Sequence, residues 1–183
     1  MKKYEIKLEG ATDLLINRYS HELNKEKQSI GKDKISEWED NNWKRKAYTN
    51  NKGELYIPDV YIIGCLRMGA FASGLQLSKK IGKKTISKNF IDCNLLLEES
   101  PVLENATLEP FDCNVKINKS TIMTIRPRVT KGWKLTFNIF DLNESFSKDE
   151  LMRLFDYCGK FVGIGDWRPK FGRFLITSIK EVN

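Results

Sequence analysis

Apolar and polar residues follow three regular patterns along the chain. Every second residue of the segment 2–9 is apolar from Tyr4 onward, which predicts a half-buried strand. The segment 59–77 is apolar on nearly all sides, which predicts a buried helix. An apolar stripe at positions i, i+3, i+4 and i+7 predicts a second helix over 147–159. Ser147 and Glu150 have the spacing of a capping box at its start.

Three further segments are rich in the β-branched and aromatic residues that favour strands. They span residues 121–129, 133–140 and 173–182. The first two are separated only by residues 130–132, so we expect them to pair as a hairpin. Pro127 has no amide hydrogen, and it should therefore interrupt the first of these strands or place it at an edge.

The order strand, helix, strand, strand, helix, strand predicts an α+β fold of the ferredoxin-like type, which RNA-recognition modules share. The 183 residues suit a single domain, and we expect it to span 1–183. Two segments lie outside the minimal core and are interpreted as insertions, one over residues 10–58 and the other over 78–120. A glycine-rich segment precedes the last strand.

This glycine-rich segment is the most informative part of the chain, and it reads GIGDWRPKFGRF from residue 163 to residue 174. Glycines permit backbone angles and close approaches that other residues do not. Its amides and cations could bind phosphate, and Trp167 could stack on a base. A glycine-rich corner with a buried tryptophan would explain the same spacing. The residues predicted to bind nucleic acid here are Gly163, Gly165, Trp167, Arg168, Lys170, Gly172 and Arg173.

The charge distribution also favours an anionic partner. The chain has 31 Lys and Arg residues against 24 Asp and Glu, a net charge of +7, and a pI of about 9.2. Segregated cations are more informative than the sum, and the segments 114–139 and 79–88 contain cations and no acid. The candidate phosphate-binding residues in them are Arg126 and Arg128, expected to share one face of a strand, and Lys79, Lys80, Lys83 and Lys84.

The position and sequence of the glycine-rich segment carry a family resemblance. A glycine loop before the final strand of a ferredoxin-like core resembles the RAMP superfamily, which comprises RNA-binding subunits of CRISPR effector complexes and their relatives. More narrowly, the chain resembles a family of phage and prophage proteins in most of its length. The matching motifs are Leu14-Leu15, Ile57-Pro58, Arg126-Pro127 with Trp133, and Gly163 to Phe174.

The resemblance implies a single-stranded nucleic-acid-binding subunit that follows the sugar–phosphate backbone and can polymerise along the strand. RNA and DNA both remain open as ligands, because phosphate contacts do not distinguish them. Further copies of the chain, or proteins of a CRISPR-type or phage complex, are expected partners. The alternative is a protein-binding module or an inhibitor that acts on a host defence complex of the CRISPR type.

The sequence gives little support for catalysis. Some RAMP relatives cleave RNA with a histidine, and His21 is the only histidine here. We expect a protein without enzymatic activity, with a metal-independent RNase as a further alternative. No motif indicates a cofactor or a metal site. No apolar segment has the length of a membrane span, so we expect the protein in the cytoplasm of the cell that makes it.

Overall fold

The computed structural model describes residues 1–74, 88–117 and 120–182, which form helices and antiparallel strands. The α+β class predicted from the sequence is therefore confirmed. The strands are β1 (Lys2–Gly10), β2 (Leu14–Leu15), β3 (Leu95–Leu97), β4 (Leu103–Glu104), β5 (Leu108–Ile117), β6 (Ser120–Val129), β7 (Lys134–Asp141) and β8 (Phe174–Val182). The helices are α1 (His21–Ser29), α2 (Ile35–Asn42), α3 (Asp59–Ser73), α4 (Lys88–Asn94) and α5 (Lys148–Tyr157).

The larger sheet has the strand order β3-β7-β1-β8, and β4 also pairs with β7. The alternation expected for residues 2–9 is present, since Tyr4, Ile6 and Leu8 are buried. Ile6 lies opposite Phe137 on one side and Ile179 on the other. These apolar side chains pack with those of α3 and α5 in the main core. The opposite face of the sheet carries mainly polar and charged residues.

The prediction that residues 121–129 and 133–140 pair as a hairpin is wrong. Both edges of β7 are occupied, one by β1 and the other by β3 and β4. β6 instead pairs with β5 and β2 in a smaller sheet of three strands. Residues 130–132 carry the chain from one sheet to the other. The larger sheet thus takes two strands, β3 and β4, from the segment 78–120 that was interpreted as an insertion.

Pro127 neither interrupts β6 nor lies at an edge, because β6 is the central strand of the smaller sheet. It lies opposite Pro110, and its carbonyl accepts a hydrogen bond from the Ile16 amide at 2.9 Å. In an antiparallel pair, the amide and carbonyl of a residue point to the same side. No hydrogen bond to β5 is therefore lost when the proline lacks its amide hydrogen.

The capping box predicted for one helix is present, whereas the burial predicted for the other helix is not. The capping box of α5 is present, with the Glu150 carboxylate accepting from the Ser147 amide at 2.7 Å. In α3, only one side is buried, whereas Val60 and Met68 are exposed. The prediction of a helix buried all round is therefore wrong, because the sheet and α5 cover one side of it. Residues 75–77, which the prediction included in this helix, lie outside the described residues.

A buried ion cluster attaches the segment 10–58 to the smaller sheet. Glu39 on α2 is fully buried and forms ion pairs with Lys27 and Lys46. Its carboxylate also accepts a hydrogen bond from the Ile125 amide on β6 at 2.8 Å. Burial alone would raise the pKa of Glu39, but the hydrogen bonds from the two lysines and from Ile125 lower it. The carboxylate is thereby held ionised against β6.

Candidate nucleic-acid interface

The glycine loop, which we define as residues 163–173, lies between the two sheets. It follows a π-helical turn, Cys158–Val162, at the end of α5. The Asp166 amide donates to the Leu15 carbonyl of β2 at 2.8 Å, and the Gly172 amide donates to the Asp13 carbonyl at 2.7 Å. The loop is therefore attached to β2, at one edge of the smaller sheet.

The glycines allow the loop to close on itself and on β2. Gly172 has φ +72, and a Cβ built there would lie 1.7 Å from the Ile164 carbonyl oxygen. Gly165 has φ +80, and its Cβ would lie 2.5 Å from the Leu15 carbonyl oxygen. The amide of Gly163 donates to the Cys158 carbonyl at 2.8 Å. The amides of Gly163 and Gly172 are thus used within the protein, and the structure gives these glycines a packing role.

The tip of the loop, which we define as Trp167, Arg168, Lys170 and Arg173, faces outward. The three cations are exposed and the tryptophan is half-buried. Arg173 donates through Nε to the Pro169 carbonyl at 2.8 Å, which folds its side chain back along the loop. The glycines of the loop thus form a packed corner, and the tip presents exposed cations in the same loop as Trp167.

Arg126 and Arg128 of β6 reach the same region, but both are paired with carboxylates. Arg126 is only 7% exposed and forms an ion pair with Asp166. Arg128 donates to Glu109 at 2.6 Å and lies 3.7 Å from a carboxylate oxygen of Asp13. From the sequence, both arginines were predicted as phosphate ligands. In the structure they lie beneath the tip and already have anionic partners.

Three aromatic rings, that of Trp167 at the tip and two others, form a row with a guanidinium group at each end. The guanidinium of Arg126 is 4.9 Å from the centre of the Trp167 ring, and that of Arg128 is 5.5 Å from the Phe111 ring. Phe171 connects the two ends, with its ring centre 6.3 Å from Trp167 and 5.3 Å from Phe111. Sequence reasoning missed Phe111 and Phe171, because nothing local in either segment indicates that the rings meet.

Two tyrosines near the loop were also missed. The hydroxyl groups of Tyr48 and Tyr61 are 3.0 Å apart. Burial raises the pKa of Tyr61, and the hydrogen bond with Tyr48 raises it further; the charge of Asp166 acts in the same direction and that of Arg168 in the opposite one. The loop thus lies close enough to influence a phenol on α3. Tyr61 remains protonated at neutral pH and can donate a hydrogen bond.

The other predicted residues add little to this surface. Lys79, Lys80, Lys83 and Lys84 lie outside the described residues. His21 is exposed at the first residue of α1. Among residues 1–74, 88–117 and 120–182, no group of His, Cys, Asp and Glu side chains is placed to hold a metal ion. Within the same ranges, no helix is long and apolar enough to cross a membrane.

Comparison with known proteins gives likenesses in structure only. No family model and no curated protein matches the chain. A chain in the cryo-EM structure of the type III-B Cmr-beta bound to cognate target RNA matches with a TM-score of 0.57 and 13% identity. The match covers 100% of this chain and 61% of that one. The crystal structure of Cmr6 from Pyrococcus furiosus matches with a TM-score of 0.51 and 11% identity, over 96% of this chain and 98% of that one.

At these identities the likeness shows the fold alone, which this chain shares with both structures. The chain spans less than two thirds of the length of the first of these structures. It spans almost the whole of the second.

Proposed function

We propose that the protein is a RAMP-type subunit that binds single-stranded nucleic acid through the tip of its glycine loop. The protein would contact the bound strand along its sugar–phosphate backbone. The loop cations would bind phosphates, and Trp167 would stack on a base. The RAMP-like fold supports a nucleic-acid ligand in a CRISPR-type context. The C-terminal motif supports a phage or prophage setting.

The strand order of the larger sheet supports the finer assignment of the fold. Read from β8 through β1 and β7 to β3, it has the fourth, first, third and second strands of a ferredoxin-like core in succession. On this assignment α3 with α4, and α5, are the two crossover helices. The glycine loop then precedes the fourth strand, which is its place in RAMP proteins.

The observation that carries the proposal is that three exposed cations, Arg168, Lys170 and Arg173, follow the half-buried Trp167 within one loop. Within the described part of the chain, no carboxylate lies within ion-pair distance of these three cations. Phosphate binding by unpaired cations releases counterions, and stacking on an aromatic ring is tolerant of sequence. Together these features suit a ligand recognised by its backbone and by the flat faces of its bases.

The proposal is tested by the salt dependence of binding. Labelled single-stranded RNA and DNA of about 12 nucleotides are titrated by fluorescence anisotropy at several salt concentrations. Three phosphate contacts predict a slope of log K against log salt of about −2, from roughly −0.7 per contact on single strands. Binding that does not respond to salt would contradict the proposal. Affinities for RNA and DNA of one sequence would show which ligand is preferred.

We propose binding without cleavage. Labelled RNA incubated with the protein should remain intact, and His21→Ala should bind as the unaltered chain does. Defined cleavage products that disappear in His21→Ala would favour the RNase instead. Self-association is also part of the proposal, and light scattering with a long oligonucleotide should detect assemblies larger than one copy. A monomer with and without the oligonucleotide would contradict that part.

A protein-binding module is the second candidate, supported by exposed apolar side chains. Val60 and Met68 on α3 and Phe161 on the π-helical turn are 63%, 48% and 61% exposed. Exposed apolar surface commonly marks protein interfaces. Purified protein that carries no nucleic acid and binds none in the titration would favour this candidate, including a role as an inhibitor of a defence complex.

A further inference from the structure

We infer that Arg126 and Asp166 are positioning residues that hold the Trp167 indole in place, with one ring face covered by the guanidinium and the other left for a base. The inference deepens the proposed function and rests on it. It differs from the prediction made for Arg126 from the sequence, which was contact with phosphate.

The environment of Arg126 suits this role better than phosphate binding. Its side chain is 9% exposed, and its charge is balanced by Asp166, whose side chain is 29% exposed. A strand passing over the tip would therefore meet little of the guanidinium and little of its net charge. The guanidinium lies over the Trp167 ring instead, with its central carbon 4.9 Å from the ring centre. Arginine stacks on aromatic faces in this way because its cation is planar and weakly hydrated.

The hydrogen bonds of Arg126 are incomplete. Within the described residues, its Nε atom is buried and has no acceptor. A buried donor without a partner is unfavourable. Nε of Arg128 on the same strand is also buried without an acceptor. Each guanidinium therefore depends on its ion pair and its aromatic contact, and what sets Arg126 apart is that its aromatic contact is Trp167.

The backbone of Trp167 is held in a conformation that non-glycine residues seldom adopt. Its φ is +53, in the left-handed region that is unfavourable for a residue with a Cβ. Asp166, the residue before it, is bonded through its amide to Leu15 of β2 at 2.8 Å. Asp166 therefore joins β2, Arg126 and Trp167. This series of contacts fixes both the backbone and the ring of the tryptophan.

A ring that is already ordered loses less side-chain entropy when a base stacks on it. Loss of the support from Arg126 or Asp166 should therefore lower the part of the binding affinity that comes from base stacking. The part that comes from phosphate contacts should stay unchanged. This expectation separates positioning from phosphate binding. Arg128 offers a matched control, because it lies two residues along the same strand, over Phe111 and paired with Glu109.

The test compares an intact single-stranded oligonucleotide with an abasic one of the same length and charge. Stacking on Trp167 predicts that the unaltered protein binds the intact strand about 5- to 150-fold more tightly, from roughly 1–3 kcal/mol per stacked base. Arg126→Lys keeps the charge but not the planar group, and it should reduce this ratio towards that of Trp167→Ala. Its salt slope should stay unchanged, since Arg168, Lys170 and Arg173 remain. Arg128→Lys should keep the ratio.

A folded Arg126→Lys protein with an unchanged ratio would overturn the inference. So would an unaltered protein that binds both strands equally with a steep salt slope, although the proposed phosphate binding would then stand. If the unaltered protein binds neither strand, the proposed function is refuted, and the base-stacking role with it.

A measurement without nucleic acid tests the positioning directly. Acrylamide quenching is measured for the unaltered protein and for Trp167→Phe, and their difference reports the accessibility of Trp167. The same pair is compared in the Arg126→Lys and Asp166→Asn backgrounds, where Trp167 should become more accessible to the quencher. Unchanged accessibility in both backgrounds would show that neither residue holds the ring.

Discussion

The outer face of the larger sheet and the tip of the glycine loop both carry cations, but their surroundings differ. On the outer face, Lys3 lies 2.9 Å from a carboxylate oxygen of Glu98 and Lys7 lies 3.7 Å from one of Glu5. Lys134 lies opposite Glu9 in the strand register. At the tip, by contrast, no carboxylate of the described residues pairs with the three exposed cations.

An aromatic ring in each region lies beside a cation that a carboxylate neutralises, and the two rings differ in the other cations near them in the sequence. Phe140 on the outer face has the Lys3 ammonium 5.3 Å from its ring centre, and that ammonium is itself paired with Glu98. Trp167 at the tip has the Arg126 guanidinium 4.9 Å from its ring centre, paired with Asp166, and the exposed cations Arg168, Lys170 and Arg173 follow it in the sequence. The number of cations therefore does not locate a binding surface. What distinguishes the tip is charge without local neutralisation beside a supported ring.

The largest effect is expected from closing the space that the loop needs. Gly172→Ala places a Cβ 1.7 Å from the Ile164 carbonyl oxygen at a φ of +72. Backbone strain and overpacking together should cost about 3 kcal/mol or more, and the melting temperature should fall by roughly 10 °C. Gly53→Ala is the control, with φ +78 and no heavy atom within 4 Å; it should lose only about 1 kcal/mol. Equal losses would mean that the close glycine packing within the loop does not contribute to stability.

The second effect concerns the charges of the two regions. The triple variant Arg168→Ala, Lys170→Ala and Arg173→Ala should lower affinity for single strands about 100-fold at ~0.1 M salt, with a salt slope flatter by about 2. The triple variant Lys3→Ala, Lys7→Ala and Lys134→Ala removes the same charge from the outer face and should bind almost as the unaltered protein does. Anisotropy titrations measure both. Equal losses would mean that only net charge matters.

The third effect is the loss of stacking. Trp167→Ala should weaken binding about 5- to 150-fold, whereas Phe140→Ala on the outer face should leave affinity unchanged. Melting temperatures measured on both variants show whether each is folded. If Trp167→Ala binds poorly only because it is partly unfolded, the tryptophan is a core residue and the outer face is no worse a candidate than the tip.

The smallest effect is on stability at Trp167. Because its φ is +53, Trp167→Gly should be more stable than Trp167→Ala by about 1 kcal/mol, the reverse of the usual order of glycine and alanine. Urea unfolding of the two variants measures the difference. An alanine variant that is as stable as the glycine variant would argue against backbone strain at the tip.

Features encoded by neighbouring residues could be predicted from the sequence. The alternation over β1 and the Ser147–Glu150 capping box are such local signals, and so is the glycine spacing that located the loop. The pairing of β6 could not be predicted, because it depends on which sheet edges other strands occupy. β3 has only three residues, too few for a periodic pattern to distinguish it from the helix before it.

The residues at the tip of the candidate site could be predicted from the sequence, whereas the ion pair that supports Trp167 could not. Arg168, Lys170 and Arg173 follow Trp167 in the same short segment, so the sequence shows that they belong to one loop. The partner of Arg126 is Asp166, 40 positions further along the chain, and no local pattern connects them. The charges of Arg126 and Arg128 were therefore counted as available when the fold neutralises both.

Photocrosslinking tests the location of the interface most directly. Single-stranded RNA containing 4-thiouridine is irradiated with the protein, and the crosslinked peptides are identified by mass spectrometry. The account predicts crosslinks in residues 163–173, with Trp167 or its neighbours as the attached positions, and their loss in the triple variant of the tip. Crosslinks confined to the outer-face strands, residues 2–9 and 134–141, would contradict it.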